Sequence, residues 1–216
     1  THQARYIVKF FDCQAAPSPR RARIFIAEKG LTVDPIQVDL RSGEQLSPEF
    51  KAINPHCTVP VLELDDGTRL TTTAAIWHYL EAEYPEPLLM GKSPRERGMI
   101  ADLQWHIEMN GIMAMAEYLR NSAAGMKGHA LTGSVGYEQI PELAERGKLR
   151  VQHFLQGIDD LIGEKPFVAG DNFSVADIDL LVLVDFVAWR KLSLPENATN
   201  AWRWYETVSA RSSAKL

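Results

Sequence analysis

"TVPVLELDDGTRLTTTAAI", residues 58–76, fixes the reading of everything around it. The run "VPVLEL" at 59–64 leads through Asp65-Asp66-Gly67 into a second short run, "TRLT", at 68–71. Glycine accepts positive φ without steric cost, so Asp66-Gly67 reads as a tight hairpin between two strands. Thr72 and Thr73 then open "TTAAIWHYLEAEY", residues 72–84, whose apolar residues recur at helical spacing. The free N–H groups and positive dipole end of such a helix start favour an anion.

Upstream, short β-rich runs alternate with helical ones. "RYIVKFF" at 5–11 reads as a strand, and "SPRRARIFIAEKGL" at 18–31 as a helix closed by Gly30. "VDPIQVDL" at 33–40 is a second strand, and "SPEFKAI" at 47–53 a short helix. The order β-α-β-α-β-β-α predicts an α/β domain over residues 1–84. Pro85, Pro87, Gly91 and Pro94 punctuate a linker at 85–92. From 93 to 216 every periodic segment is helical: 94–119, 139–162, 174–191 and 201–210 carry apolar residues three and four apart. The stretch "NSAAGMKGHALTGSVG", 121–136, reads as a mobile loop between two long helices.

Composition narrows the partners. The 216 residues are 45% hydrophobic and 24% charged, enough for a substantial core. A net charge of -5 and the lack of a basic run give no electrostatic reason to expect nucleic acid or an anionic membrane. Two cysteines, Cys13 and Cys57, are too few for a disulfide framework and have no zinc-like spacing, so a reducing cytoplasm is expected and no metal. No apolar signal region opens the sequence, and "IDLLVLVDFVAW" at 178–189 is short and broken by Asp179 and Asp185, so neither export nor a membrane span is expected. The terminal "AKL" is similar to a peroxisomal address, at a length that matches often by chance.

"INPHCTVPVLELDDGTRLTTTAAIWHYLEAEYP" resembles the pattern NPxxxVPxLxxDDGxxLxESxAIxxYL of the cytosolic glutathione transferases, of theta-like or bacterial type. "PFVAGDNFSVADIDLLV", 166–182, resembles that family's second signature, and with "RRARIFIAEKGL" these cover nearly the whole chain in order. The resemblance implies a thioredoxin-like α/β N-terminal domain and an all-α C-terminal domain. It implies a cytoplasmic homodimer that conjugates glutathione, its co-substrate, to a small hydrophobic electrophile in detoxification. By resemblance the Val59-Pro60 bond is cis, and the Val59 backbone pairs, strand-like, with the cysteinyl unit of glutathione. Thr73 stands where the family has a serine for the γ-glutamyl carboxylate. Thr72 stands where the family has an acid for the γ-glutamyl ammonium, and a neutral hydroxyl cannot supply that charge. Asp102 is a candidate substitute acting across a dimer interface. Gln45 falls where relatives contact the glycyl end. Simple helix capping by Thr72 and Thr73, and a surface role for Gln45, are the plainer alternatives.

The thiol-activating residue is off-pattern. The family carries a Tyr, Ser or Cys after the first strand, near the N-terminus of the first helix, where a hydrogen bond and the helix dipole lower the thiol pKa. Here Ala16 takes the serine-or-cysteine position and Asp12 lies near that of the tyrosine. Ser18 and Cys13 are the remaining candidate catalysts. Ser18 precedes Pro19, a pairing that suits N-cap and N1. Cys13 could hydrogen-bond the thiolate or form a mixed disulfide, or be a buried structural thiol. Trp105, Met109 and Met113 share a helix face; their helix reads as mainly core, and by resemblance it borders the electrophile site. Arg20, Arg21 and Arg23 read as a solvated basic face, and Ser174 with Asp177 as a capping box. Two alternatives stand beside conjugation: a glutathione-dependent disulfide reductase using Cys13 or Cys57, and a non-catalytic binding protein that keeps the fold.

Overall fold

A computed structural model describes residues 6–216; Arg5, at the start of the first expected strand, lies outside the described residues. The chain divides into two compact units, 1–87 with 132–135 and 216, and 88–131 with 136–215.

The first unit is built on β1 (Tyr6–Asp12), α1 (Pro17–Glu28), β2 (Thr32–Gln37), α2 (Pro48–Ile53), β3 (Val61–Glu63), β4 (Arg69–Leu70) and α3 (Thr73–Glu83). The sheet order is β2-β1-β3-β4. β1 and β2 are parallel, as the intervening helix requires, and the other pairs are antiparallel. The hairpin closes with Gly67 at φ +84°, and Asp66 Oδ1 accepts from the Thr68 N–H at 2.8 Å. α1 and α3 pack together, with the rings of Phe25 and Trp77 6.2 Å apart. Elsewhere in this unit Phe11, Val38, Phe50 and Val61 cluster, the Phe11 and Phe50 rings meeting edge to face at 6.2 Å.

The second unit is helical: α4 (Pro94–His106), a π-helical turn (Ile107–Ile112), α5 (Met113–Ser122), α6 (Pro141–Ile162), α7 (Val175–Val187) and α8 (Thr199–Ser209). The expected single helix over 94–119 therefore contains a widened turn. Gly111 lies in it, where a Cβ would come within 2.4 Å of Leu183 Cδ2 and 3.1 Å of the Phe154 ring. α7 is buried along all but one of its residues, which accounts for its largely apolar composition. No helix among the described residues is long and apolar enough to cross a bilayer. Ser174 and Asp177 form the expected capping box at its start. The 121–136 stretch contains a 3₁₀ turn at Ala124–Met126, and Ala130 N–H bonds the Tyr137 carbonyl at 3.0 Å.

Three expectations need correction. α1 starts one position before Ser18: Ala16 is the N-cap, with extended backbone, and Pro17 is N1, so Ser18 is the second helical residue and not the cap. Both prolines suit N1, and the chain uses the earlier one. Arg21 and Arg23 are buried, not solvated, because their side chains turn onto partners within this unit. Trp105, Met109 and Met113 are 59%, 39% and 44% exposed, so this row is not core. Ile107, Ile112, Ala114 and Met115 fill the inward positions instead.

Candidate functional site

The sheet register gathers most of the expected residues at one end of the first unit. Phe11 pairs antiparallel with Val61, so the loop that leaves β1 at Cys13 runs past the level of Val59. Leu70 pairs antiparallel with Leu62, so Thr72 and Thr73, two and three residues further along the chain, open α3 at the same end. β2 runs parallel to β1 and pairs Gln37 with Asp12, delivering the segment that contains Gln45 to that end too.

The Val59-Pro60 peptide is cis. Asn54, fully buried, shapes the turn before it: its Nδ2 donates to the Thr58 carbonyl at 2.8 Å and to Thr58 Oγ1 at 3.1 Å, and its Oδ1 accepts from the His56 N–H at 3.0 Å. Cys57, at the apex of this turn, is buried and adopts a left-handed backbone with φ 56°. The two threonines have separate surroundings. Thr72 is the N-cap of α3, its Oγ1 accepting from the Ala75 N–H at 3.1 Å, whereas Thr73 is the first helical residue and is buried. Gln45 lies in a 3₁₀ turn, Glu44–Leu46, half-buried, and its Oε1 has no partner among the described residues.

The β1–α1 loop is held more tightly than its sequence suggests. Asp12, 1% exposed, is ion-paired to Arg23 and also accepts from Gln37 Nε2 at 2.9 Å. With both oxygens engaged, this carboxylate is committed to structure and is not a proton donor to a ligand. Ala16 gives α1 no side-chain cap. Pro17 and Pro19 have no N–H, and the Arg20 N–H already reaches the Ala16 carbonyl at 3.3 Å. The Ser18 N–H is thus the donor that remains in the first turn. The Ser18 hydroxyl accepts from Arg21 Nη2 at 3.2 Å, which leaves its own proton available. Cys13 is a half-buried free thiol and Cys57 a buried one. In the second unit Asp102 is exposed, 3.8 Å from His106 Nε2. No cluster of three or more metal-ligating side chains occurs among the described residues.

Family models of the glutathione S-transferase N-terminal and C-terminal domains match residues 16–83 and 127–212. The chain belongs to the glutathione S-transferase family. It is 36% identical to Glutathione S-transferase 2 of Saccharomyces cerevisiae over 95% of this chain and 87% of that protein. It is 31% identical to a maleylacetoacetate isomerase of Pseudomonas aeruginosa over 81% of this chain and 78% of that protein. The solved structure of Gtt2 from Saccharomyces cerevisiae superposes with a TM-score of 0.87 at 35% identity, covering 96% of this chain and 99% of that one. Against this family background, the anticipated fold class of a thioredoxin-like α/β unit and an all-helical unit is the one observed. What the sequence reading missed are Asn54, Arg23 and Gln37. The adjacent Asn54-Pro55 in the family pattern was a signal for the first; nothing local marked the other two.

Proposed function

We propose that this transferase-family chain binds glutathione on its first unit and conjugates its thiolate to a small hydrophobic electrophile. The observation that supports this best is the meeting, at one sheet end, of the Val59 backbone before the cis-proline, the N-terminus of α3 and the β1–α1 loop. In this reading Val59 offers its backbone to the cysteinyl unit. Thr73 and the first free N–H groups of α3 receive the γ-glutamyl carboxylate, where the helix dipole adds attraction. Gln45 donates from its Nε2 to the carboxylate of the glycyl end. The thiol gives its proton to solvent, and the Ser18 N–H and hydroxyl, at the positive end of α1, stabilise the resulting thiolate. A sulfur lone pair then forms the C–S bond as the electrophile's leaving group departs with its electrons, or as its double bond takes them up. The exposed apolar row of Trp105, Met109 and Met113 supplies surface for a hydrophobic electrophile. A homodimeric assembly, with Asp102 of one subunit serving the ammonium end of the other's glutathione, would compensate for the neutral Thr72.

Calorimetric titration with reduced glutathione tests this. Saturable binding of one molecule per subunit is expected, followed by turnover of an electrophilic aryl halide. No saturation at millimolar ligand would overturn the reading. The half-buried Cys13 thiol favours a second reading, glutathione-dependent disulfide reduction. Loss of disulfide reduction in Cys13→Ser with conjugation retained would assign that activity to Cys13. Binding without turnover of either kind would leave a glutathione-binding protein.

A further inference from the structure

We propose that Arg23 and Gln37 are positioning residues for ionisation of the glutathione thiol, acting through the backbone of Cys13 and Gln14. The inference rests on the glutathione reading above. Arg23 Nη2 donates to the Gln14 carbonyl at 3.0 Å, and Nη1 reaches the Cys13 carbonyl at 3.4 Å. From the other side the Gln14 N–H donates to Gln37 Oε1 at 3.0 Å. Both backbone polar groups of Gln14 are therefore gripped by side chains, one from α1 and one from the end of β2. Asp12 ties the two grips together, one carboxylate oxygen accepting from Arg23 and the other from Gln37 Nε2.

The chemistry of the pair argues for more than stability. Arg23 is 8% exposed and Asp12 1%, and taking two charges out of water costs several kcal/mol per ion, so a buried pair is a poor way to stabilise a fold. What the guanidinium adds is direction. Its planar fork engages a carboxylate and two carbonyls at once from nitrogens held in a fixed plane, a geometry that a lysine's compact, freely rotating ammonium does not impose. The segment so fixed runs straight into Ala16, whose N–H donates to the Cys13 carbonyl at 2.9 Å, and then into the first turn of α1. Since the two prolines leave Ser18 as the one backbone donor there, thiolate stabilisation depends on where this single N–H stands. A displacement of well under an ångström is enough to weaken it.

Two variants test the inference, Gln37→Ala and Arg23→Lys; Gln37 is exposed, so its replacement removes no apolar packing, though it takes one donor from Asp12. The readouts are the pH dependence of bound glutathione ionisation, by thiolate ultraviolet absorbance, the affinity for S-methylglutathione, which has no ionisable thiol, and the thermal midpoint. Expected for both is an ionisation midpoint moved up by about one pH unit, kcat/KM down about tenfold at neutral pH, and S-methylglutathione affinity kept within about twofold. An unchanged ionisation midpoint in both variants, whatever happens to thermal stability, overturns the positioning role and leaves the glutathione reading standing. Failure of the unmodified protein to bind either glutathione or S-methylglutathione overturns both.

Discussion

The indole N–H of Trp204 donates to Asp177 Oδ1 at 2.8 Å, joining α8 to the cap of α7. The same carboxylate accepts from the backbone N–H groups of Val168 and Ser174, each at 2.9 Å. Burial pushes the Asp177 pKa up, against these hydrogen bonds, which pull it down. Every neighbour is a donor, so an amide in its place turns an NH₂ group toward other N–H groups. Asp177→Asn is expected to lower unfolding free energy by about 2–4 kcal/mol, and Trp204→Phe by about 1–3 kcal/mol, in urea titrations.

α6 contains two glycines with opposite expectations. A Cβ on Gly147 would stand 2.6 Å from Tyr118 N and 2.8 Å from Ala114 O, both backbone atoms of α5, while one on Gly157 meets nothing within 4 Å. Gly147→Ala forces the two helices apart and should destabilise by about 1–3 kcal/mol. Gly157→Ala should stabilise by about 0.5–1 kcal/mol through helix propensity alone. Thermal melts of the two variants side by side check both signs.

Acid stability should depend on Glu63. The hydrogen bond from Lys9 Nζ at 2.9 Å, and after it that from Arg69 Nε at 2.8 Å, hold this carboxyl below the ordinary glutamate range. Its folded pKa is thus lower than its unfolded one. The contribution is fully present above the unfolded value and is lost as pH falls through the folded value, because the unfolded chain takes up the proton first. Glu63→Gln should flatten that part of the stability profile, measured by urea unfolding at stepped pH.

The neighbouring threonines should separate in function. Thr72→Ala removes the α3 cap and is expected to cost about 1 kcal/mol of stability with glutathione affinity little changed. Thr73→Val keeps the buried volume and removes the hydroxyl, so affinity should fall about tenfold with stability nearly constant. Calorimetry and denaturant unfolding on both proteins distinguish a cap from a ligand contact.

Alkylation should also discriminate between the two thiols. Cys57 is 3% exposed and Cys13 only half-buried, so a small alkylating agent should label Cys13 first in the native protein. Peptide mass analysis after a timed reaction reads the order, and equal labelling would contradict the burial of Cys57.

The fold was legible because two periodicities differ. Alternation gave way to helical spacing near residue 85, and the hairpin announced itself through Asp66-Gly67. The cis Val59-Pro60 bond was legible through the family pattern, and so was the place of Thr73 at the start of α3. The start of α1 was not, since Pro17 and Pro19 both suit N1 and only the extended backbone of Ala16 decides between them. The row of Trp105, Met109 and Met113 was found as a face, but spacing says which residues share a side and not which side is inward. Arg23 was read as solvated because its partner, Asp12, meets it only after a strand has ended and a helix has turned back over it.

The wide turn at Ile107–Ile112 bears on how this chain can change in length. A π turn holds one residue more than regular helix needs. A one-residue deletion there would be absorbed on the spot, restoring ordinary helix while α5 keeps its facing. The same deletion upstream, within Pro94–His106, would spin the downstream helix by about 100° and swing Met115 away from the interior. Among close relatives, gaps within this helix should therefore concentrate at those six positions.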